Sequence, residues 1–563
     1  MKPVVPKSLR GYAFDRLIGV EFNDFDVERL LPSLFYITVT RGRQVARRVN
    51  SEKDLAKYVD ALSQHSRMRG FGSDASRRLL DRWVRSTVVQ MGRLGRSRRE
   101  EQIEYIQPLT LLTYKSGFPA KISRQRRVHQ FLYALFLRAL TTDDPQQRPE
   151  AALGGLFASA FGRGVLIGDA PKYDGQYTGS EVVDIHTLLC LNFLDGLQPC
   201  PASNKEGAQA DPTLPRIASQ LAEDLLSFLA VCHREMPLLS LTRSLMALIN
   251  CWLFVYTLKL AYATNELVAH GQLPAAMSQQ EATTPPEIYV DLTGERGGPS
   301  DRLAQTCVEM HLEEVRAFYQ SNMLLRTLDR FLDALPPQAA NAKALRAQAT
   351  PTYFKSLTNL RGNIHVEARA SADIQTIRAE TVAAAGGPEE IAAVEAEFDR
   401  LISSAGPDGA LGTLIHILAD AQESNGVRAI IAWFWNTGGL GKPYGLLSGN
   451  LRGNRRWRYV MGDDLLAVLV RLSMIEVPDG RVEGATTRNR IALGDFLAFL
   501  ERRFGFLIDR PPASLDSAAT RAAARENLEA LKRRLRLMGL FEALSDDFNA
   551  QFLRLPDTAE VLA

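Results

Sequence analysis

The chain has 563 residues, of which 46% are hydrophobic and 23% charged. This composition excludes a disordered or fibrous polymer, and the length suits about three or four domains of roughly 150 residues. The net charge is only +3, but residues 1–140 hold 27 Lys and Arg against 13 Asp and Glu, so a basic N-terminal part precedes a net-acidic remainder.

The first region, 1–141, reads as a basic, arginine-rich α+β domain. Its opening, MKPVVPKSLRGYAF, lacks the apolar run of a secretory leader, so a cytoplasmic protein is expected. The β-branched and aromatic stretch LFYITVTRGR at 34–43 predicts a strand. Helices are predicted for SEKDLAKYVDALSQH from Ser51, ASRRLLDRWVRSTVVQMGRL from Ala75 and RVHQFLYALFLRAL from Arg127. In the second of these, Leu79, Leu80, Trp83 and Val84 fall at helical spacing, with arginines on the opposite face.

Three arginine clusters mark this region. One is Arg41, Arg43, Arg47 and Arg48; the next includes Arg77, Arg78, Arg82, Arg85, Arg96, Arg98 and Arg99; the third has Arg124, Arg126 and Arg127. A guanidinium is a planar fork of donors that matches phosphate or carboxylate oxygens. Such density points first to a nucleic-acid surface; the alternative is a face that docks an acidic subunit or the acidic remainder of this same chain.

The second region, 150–335, should be a helical middle domain. Gly162, Gly164 and Gly168 form a GxGxxxG, but no clean strand precedes it, so a structured loop is expected there in place of a dinucleotide fingerprint. Residues 198–215 read as an exposed loop. IASQLAEDLLSFLAVCH and the segment 238–263 are strongly apolar and should build the domain core. The run SLMALINCWLFVYTL is shorter than the roughly 20 residues of a membrane span, so a buried helix is expected and no membrane partner. Near 287–320, IYVDL predicts a short strand, followed by a Gly-rich turn and a helix capped by Ser300. Asp291 and Thr293 at the strand end could present an anion site at the helix N-terminus, although no P-loop lysine follows and a plain structural unit is preferred.

The third region, 340–436, is Ala-rich and helical, split by Gly386, Gly387 and Pro388, and ends at Trp433 and Trp435. The fourth, 437–563, contains LRGNRRWRYVM, with Arg452, Arg455, Arg456 and Arg458. Then come the helix LLAVLVRLSMIEV, a hairpin in RVEGATTRNRIAL carrying Arg481, Arg488 and Arg490, and the helix GDFLAFLERRFGFLI. Helix, hairpin, helix is compatible with a winged-helix-like module, in which a helix enters the major groove and a basic hairpin touches backbone. The expected fold class is therefore mainly α with minor β, a multidomain helical protein.

The runs GLLSGNLRGNRRWRYVMGDDLLAVLV and GDFLAFLERRFGFLIDRPP, together with EIYVDLTGERGGPSDRLAQTC, resemble accessory component proteins of multi-gene bacterial anti-phage defence islands, the methylation-associated type in particular. The resemblance implies a subunit working beside separate ATPase, methyltransferase and nuclease proteins, and assigns no residue a role.

No catalytic signature stands out. The eight histidines include no HxH or HExxH, and Cys190, Cys200, Cys232, Cys251 and Cys307 form no CxxC, so no metal site or cofactor is expected and the thiols read as buried. Asp169 and Lys172 lack the second carboxylate of a nuclease site. The preferred reading is a non-catalytic DNA-binding subunit among other protein subunits of a defence complex. A scaffold docking acidic partners, and a nuclease-like enzyme using Asp169 or Asp174, remain the alternatives.

Overall fold

Two long helices carry the rest of the molecule: Leu238–His270, with 33 residues, and Pro299–Leu332, with 34. The computed structural model describes every residue except 1–2, 12–13, 46–51, 65–68, 88, 94–100, 107–109, 117–124, 143–146, 169, 174–184, 197–200, 207–210, 279–285, 337–339, 405–408, 452–455, 544–550 and 556–563. The fold is mainly α, with strands of two to six residues. Buried apolar side chains from Val5 to Leu553 join in one contiguous cluster.

The Leu238–His270 helix is apolar on nearly all faces, so it must be enclosed. Pro215–Cys232, Pro299–Leu332, Gly409–Thr437 and Asp463–Ser473 all pack on it. It is long and apolar enough to cross a membrane, yet most of that window is buried against these neighbours. Most of its buried polar groups are matched inside the protein, Thr264 Oγ1 being an exception among the described residues. Asn250 Nδ2 donates to the Thr437 carbonyl (2.6 Å), Trp252 Nε1 to Asp224 Oδ2 (3.0 Å) and Lys259 Nζ to the Arg503 carbonyl (3.2 Å). Thr257 Oγ1 accepts from Trp433 Nε1 at 3.0 Å.

Several elements differ from the sequence expectation. The strand expected at 34–43 is the helix Leu31–Val39, buried at every residue from Leu31 to Thr38. Aromatic and β-branched residues signal a half-buried strand, but a helix enclosed on all sides carries the same composition. Pro32 sits in its first turn, where a missing N–H leaves no hydrogen bond unmade. The helix expected from Ala75 spans Asp74–Thr87 and gives way to the strand Val89–Arg93, which pairs antiparallel with Glu101–Ile106. Within 198–215, Ala202–Glu206 forms a strand paired with Arg43–Val45. The glycine-rich run begins inside the helix Pro149–Phe161 and then loops, closed by a bridge between Leu166 and Lys172. Gly386–Gly387 does separate two helices, Ile364–Ala383 and Pro388–Ser404. Cys190, Cys232, Cys251 and Cys307 are free and buried, while Cys200 lies outside the described residues.

The C-terminal part runs helix Asp463–Ser473, strands Ile475–Glu476, Thr486–Thr487 and Arg490–Ala492, helix Leu493–Phe504, strand Phe506–Leu507, helix Ala518–Leu537, and strands Phe541–Ala543 and Gln551–Arg554. Arg490–Ala492 and Phe541–Ala543 flank Gln551–Arg554 in an antiparallel three-stranded sheet. The expected hairpin is split. Ile475–Glu476 pairs with Thr486–Thr487 as a separate ribbon, whereas Arg490 pairs in the three-stranded sheet with Arg554.

This part is stitched to the middle of the chain. Phe506–Leu507 pairs in parallel with Ile288–Tyr289. Buried Asn527 donates to the carbonyls of Val290 (2.8 Å) and Ile508 (3.0 Å) and accepts from Leu292 N (2.7 Å), acting on both strands at once. The following helix starts at Pro299 with Gly298 at its N-cap; Ser300, expected as the cap, instead bonds the Tyr289 hydroxyl at 2.9 Å. A proline at the first helical position is pre-set for helix entry, which moves the cap two residues upstream.

Candidate nucleic-acid interface

Of the twenty arginines singled out in the sequence, Arg47, Arg48, Arg96, Arg98, Arg99, Arg124, Arg452 and Arg455 lie outside the described residues. The other twelve divide by environment.

The helix Asp74–Thr87 buries Leu80 and Val84, half-buries Trp83 and leaves Leu79 exposed. Its inward stripe is thus narrower than expected. Arg78 and Arg82 are exposed on it and make no ion pair among the described residues. Arg77 and Arg85 are engaged, Arg77 with Asp60 of the neighbouring helix Glu52–Ser63 and Arg85 with Asp81 one turn back, at 2.9 Å. The Asp60 carboxylate, hydrogen-bonded to Arg77, raises that guanidinium's pKa. Arg41 and Arg43 are exposed around the turn into the strand Arg43–Val45.

Arg126 and Arg127 form a structural clamp. Both have left-handed backbones, with φ of 48° and 62°, immediately before the helix Val128–Ala139. Non-glycine residues adopt this region at a cost, so surrounding contacts must hold them there. Arg126 bonds Asp24 through its side chain and its carbonyl (3.0 Å) and reaches Glu21 at 3.2 Å; Arg127 pairs with Asp15 at 2.7 Å. The turn is thereby tied to the 15–24 segment.

At the C-terminal end, Arg458 faces buried Asp301 at 2.7 Å, and Arg488 pairs with Glu476 across the Ile475–Thr487 ribbon. Exposed Arg490 stacks over the Phe552 ring, 4.9 Å from its centroid. Arg456 is exposed.

The sequence reading passed over the helix Ala518–Leu537. Its inner face is Ala523, Ala524, Asn527, Ala530, Leu531 and Leu535. Arg525, Arg533 and Arg536 are exposed, interleaved with Glu526 and Glu529. The signal was present as arginines and glutamates at spacings of three and four, which place them on one helical face. Ser517 closes its N-terminus with a capping box to Thr520.

The arrangement can bind anions through several separated guanidinium groups. Among the described residues, no group of His, Cys, Asp and Glu converges in a way that would hold a metal ion. Asp169 and Asp174 lie outside the described residues.

In comparison with known proteins, the family model described as "Methylation-associated defense system protein MAD7" matches residues 7–556. No curated protein and no solved structure matches the chain.

Proposed function

The chain belongs to the family of methylation-associated defense system protein MAD7, and on that premise we propose that it is a non-catalytic nucleic-acid-binding subunit of a bacterial anti-phage system, acting beside other protein subunits. The observation that carries this reading is the C-terminal element order. Apart from the Ile475–Thr487 ribbon and Phe506–Leu507, the order helix, strand, two helices and a strand pair, with Arg490–Ala492 beside Gln551–Arg554, is compatible with a winged-helix module. In that reading Ala518–Leu537 would face the groove, with Arg525, Arg533 and Arg536 on its exposed side, and the paired strands Phe541–Ala543 and Gln551–Arg554 would be those of the wing hairpin. Arg78 and Arg82 supply a second basic surface for backbone phosphates.

The test is duplex-DNA binding by the full chain at about 50 and 200 mM salt, since phosphate contacts make affinity fall steeply between these concentrations. Wild-type protein should bind with strong salt dependence, and R525A/R533A should weaken binding and flatten the slope. Absence of binding at low salt would overturn the reading.

A second reading of the basic residues, that they hold this chain's own acidic segments in place, is favoured by one observation: Arg77, Arg126, Arg127 and Arg458 all engage carboxylates of this same chain. It predicts that replacing them lowers the melting temperature and leaves DNA binding unchanged.

A further inference from the structure

The loop and helix N-terminus after Tyr289 border a cavity of about 520 Å³ that the DNA-binding reading does not use. Arg296 and Arg302 come from the loop and the first turn of Pro299–Leu332; Arg456 and Arg458 come from the strand region opposite. The two sides are fixed to each other. Asp291 N donates to the Tyr459 carbonyl at 3.0 Å, and Asp291 bridges in parallel to Val460.

Asp301 is the one acidic side chain lining the cavity among the described residues, and it is committed. Its Oδ2 accepts from Gly297 N (2.9 Å) and Gln305 Nε2 (2.7 Å), and its Oδ1 faces Arg458 Nε. One positive charge is thus neutralised and three remain. Arg302 spends its Nε on the Gly297 carbonyl at 3.0 Å, which leaves its terminal nitrogens available. Arg296 and Arg456 make no ion pair among the described residues. Three guanidinium groups around one concave space repel one another, and an anion between them removes that repulsion. The positive end of a 34-residue helix acts in the same direction. The volume is in the range of small-molecule sites.

We propose that this cavity binds a pyrophosphate-bearing ligand, held by Arg296, Arg302 and Arg456, with Arg458 kept in place by Asp301. The proposal stands independently of DNA binding by the C-terminal module.

The experiment is isothermal titration of the full chain with inorganic pyrophosphate, then with ATP and with a short 5′-triphosphorylated oligonucleotide. Pyrophosphate should bind the wild type. R296A/R456A should lose about tenfold or more in affinity, since each replacement removes a charge-assisted hydrogen bond to the phosphates. Both side chains are exposed, so the fold should be untouched; R302A is a second variant with the same expected loss. R78A/R82A should bind pyrophosphate as the wild type does. Either order of affinity between ATP and the oligonucleotide supports the site, and it decides whether the phosphates arrive on a free nucleotide or on a strand end. No pyrophosphate binding by the wild type, or equal binding by R296A/R456A and R302A, would overturn the proposal.

Discussion

Arg503 reaches from the helix Leu493–Phe504 to Asp224 on Pro215–Cys232, its Nε 3.1 Å from both carboxylate oxygens. The same carboxylate accepts Trp252 Nε1, so one buried charge joins three helices. Burial pushes the Asp224 carboxyl pKa up, against the pull of Arg503. Removing Asp224 takes away the acceptor shared by Arg503 and Trp252 and leaves Arg503 only Glu223, at 3.0 Å, as a carboxylate partner. Asp224→Ala should therefore destabilise the fold by about 1–3 kcal/mol, read from the urea midpoint. A loss below about 1 kcal/mol would mean that water reaches Arg503 freely.

His129 gives the protein an acid sensitivity. It is fully buried, its Nδ1 has no hydrogen-bond partner among the described residues, and desolvation lowers its pKa from 6.5 to about 4. Above pH about 6.5 the ring is neutral in folded and unfolded chains alike. As the pH falls from there towards 4, the unfolded chain takes up a proton that the folded one refuses. Stability should drop over that window by about 3 kcal/mol and level off below it. His129→Gln should lose this component, so the wild-type and variant pH–stability curves should differ between pH 6.5 and 4. Parallel curves would refute it.

Gly426 lies where the helix Gly409–Thr437 meets Pro299–Leu332. A Cβ there would fall 2.2 Å from the Tyr319 ring. Alanine is the better helix former by about 1 kcal/mol, yet overpacking should win, giving a net loss of about 1–3 kcal/mol for Gly426→Ala on thermal unfolding. A stabilised variant would show that the Tyr319 ring moves aside easily.

Arg78 and Arg126 should behave oppositely. Arg126 holds a strained turn, so Arg126→Ala should lower the melting temperature and leave the salt slope of DNA binding unchanged. Arg78 touches no carboxylate among the described residues, so Arg78→Ala should leave melting unchanged and reduce the salt slope by about 1. A melting loss for Arg78→Ala would reassign it as structural.

The helical class was legible from apolar periodicity, and the two longest helices were located, but the readings 238–263 and 287–320 stopped short of their ends at His270 and Leu332. What misled was local chemistry that tertiary enclosure overrides. Leu31–Val39 looks like a strand because nothing in ten residues reveals that all its faces will be covered. The arginine clusters were visible, but their division was not. Arg77 and Arg78 are adjacent and identical in type, and only the arrival of Asp60 separates a paired guanidinium from one with no ion pair among the described residues. The cationic cavity joins Arg296 to Arg456 across 160 positions, which no spacing argument reaches. The glycine-rich loop after Tyr289 was visible, and so were Arg456 and Arg458, but not that the fold brings them beside Arg296 and Arg302.

The parallel pairing of Ile288–Tyr289 with Phe506–Leu507 has a consequence for biosynthesis. The partner strand is made more than two hundred residues later. At about 5–20 residues per second, this edge waits roughly ten to forty seconds on the ribosome with its backbone groups and the apolar flank of Pro299–Leu332 uncovered. Nascent chains and C-terminal truncations should therefore share one liability, a sticky strand edge, and chaperone demand should fall sharply once residue 527 emerges and Asn527 can seal both strands.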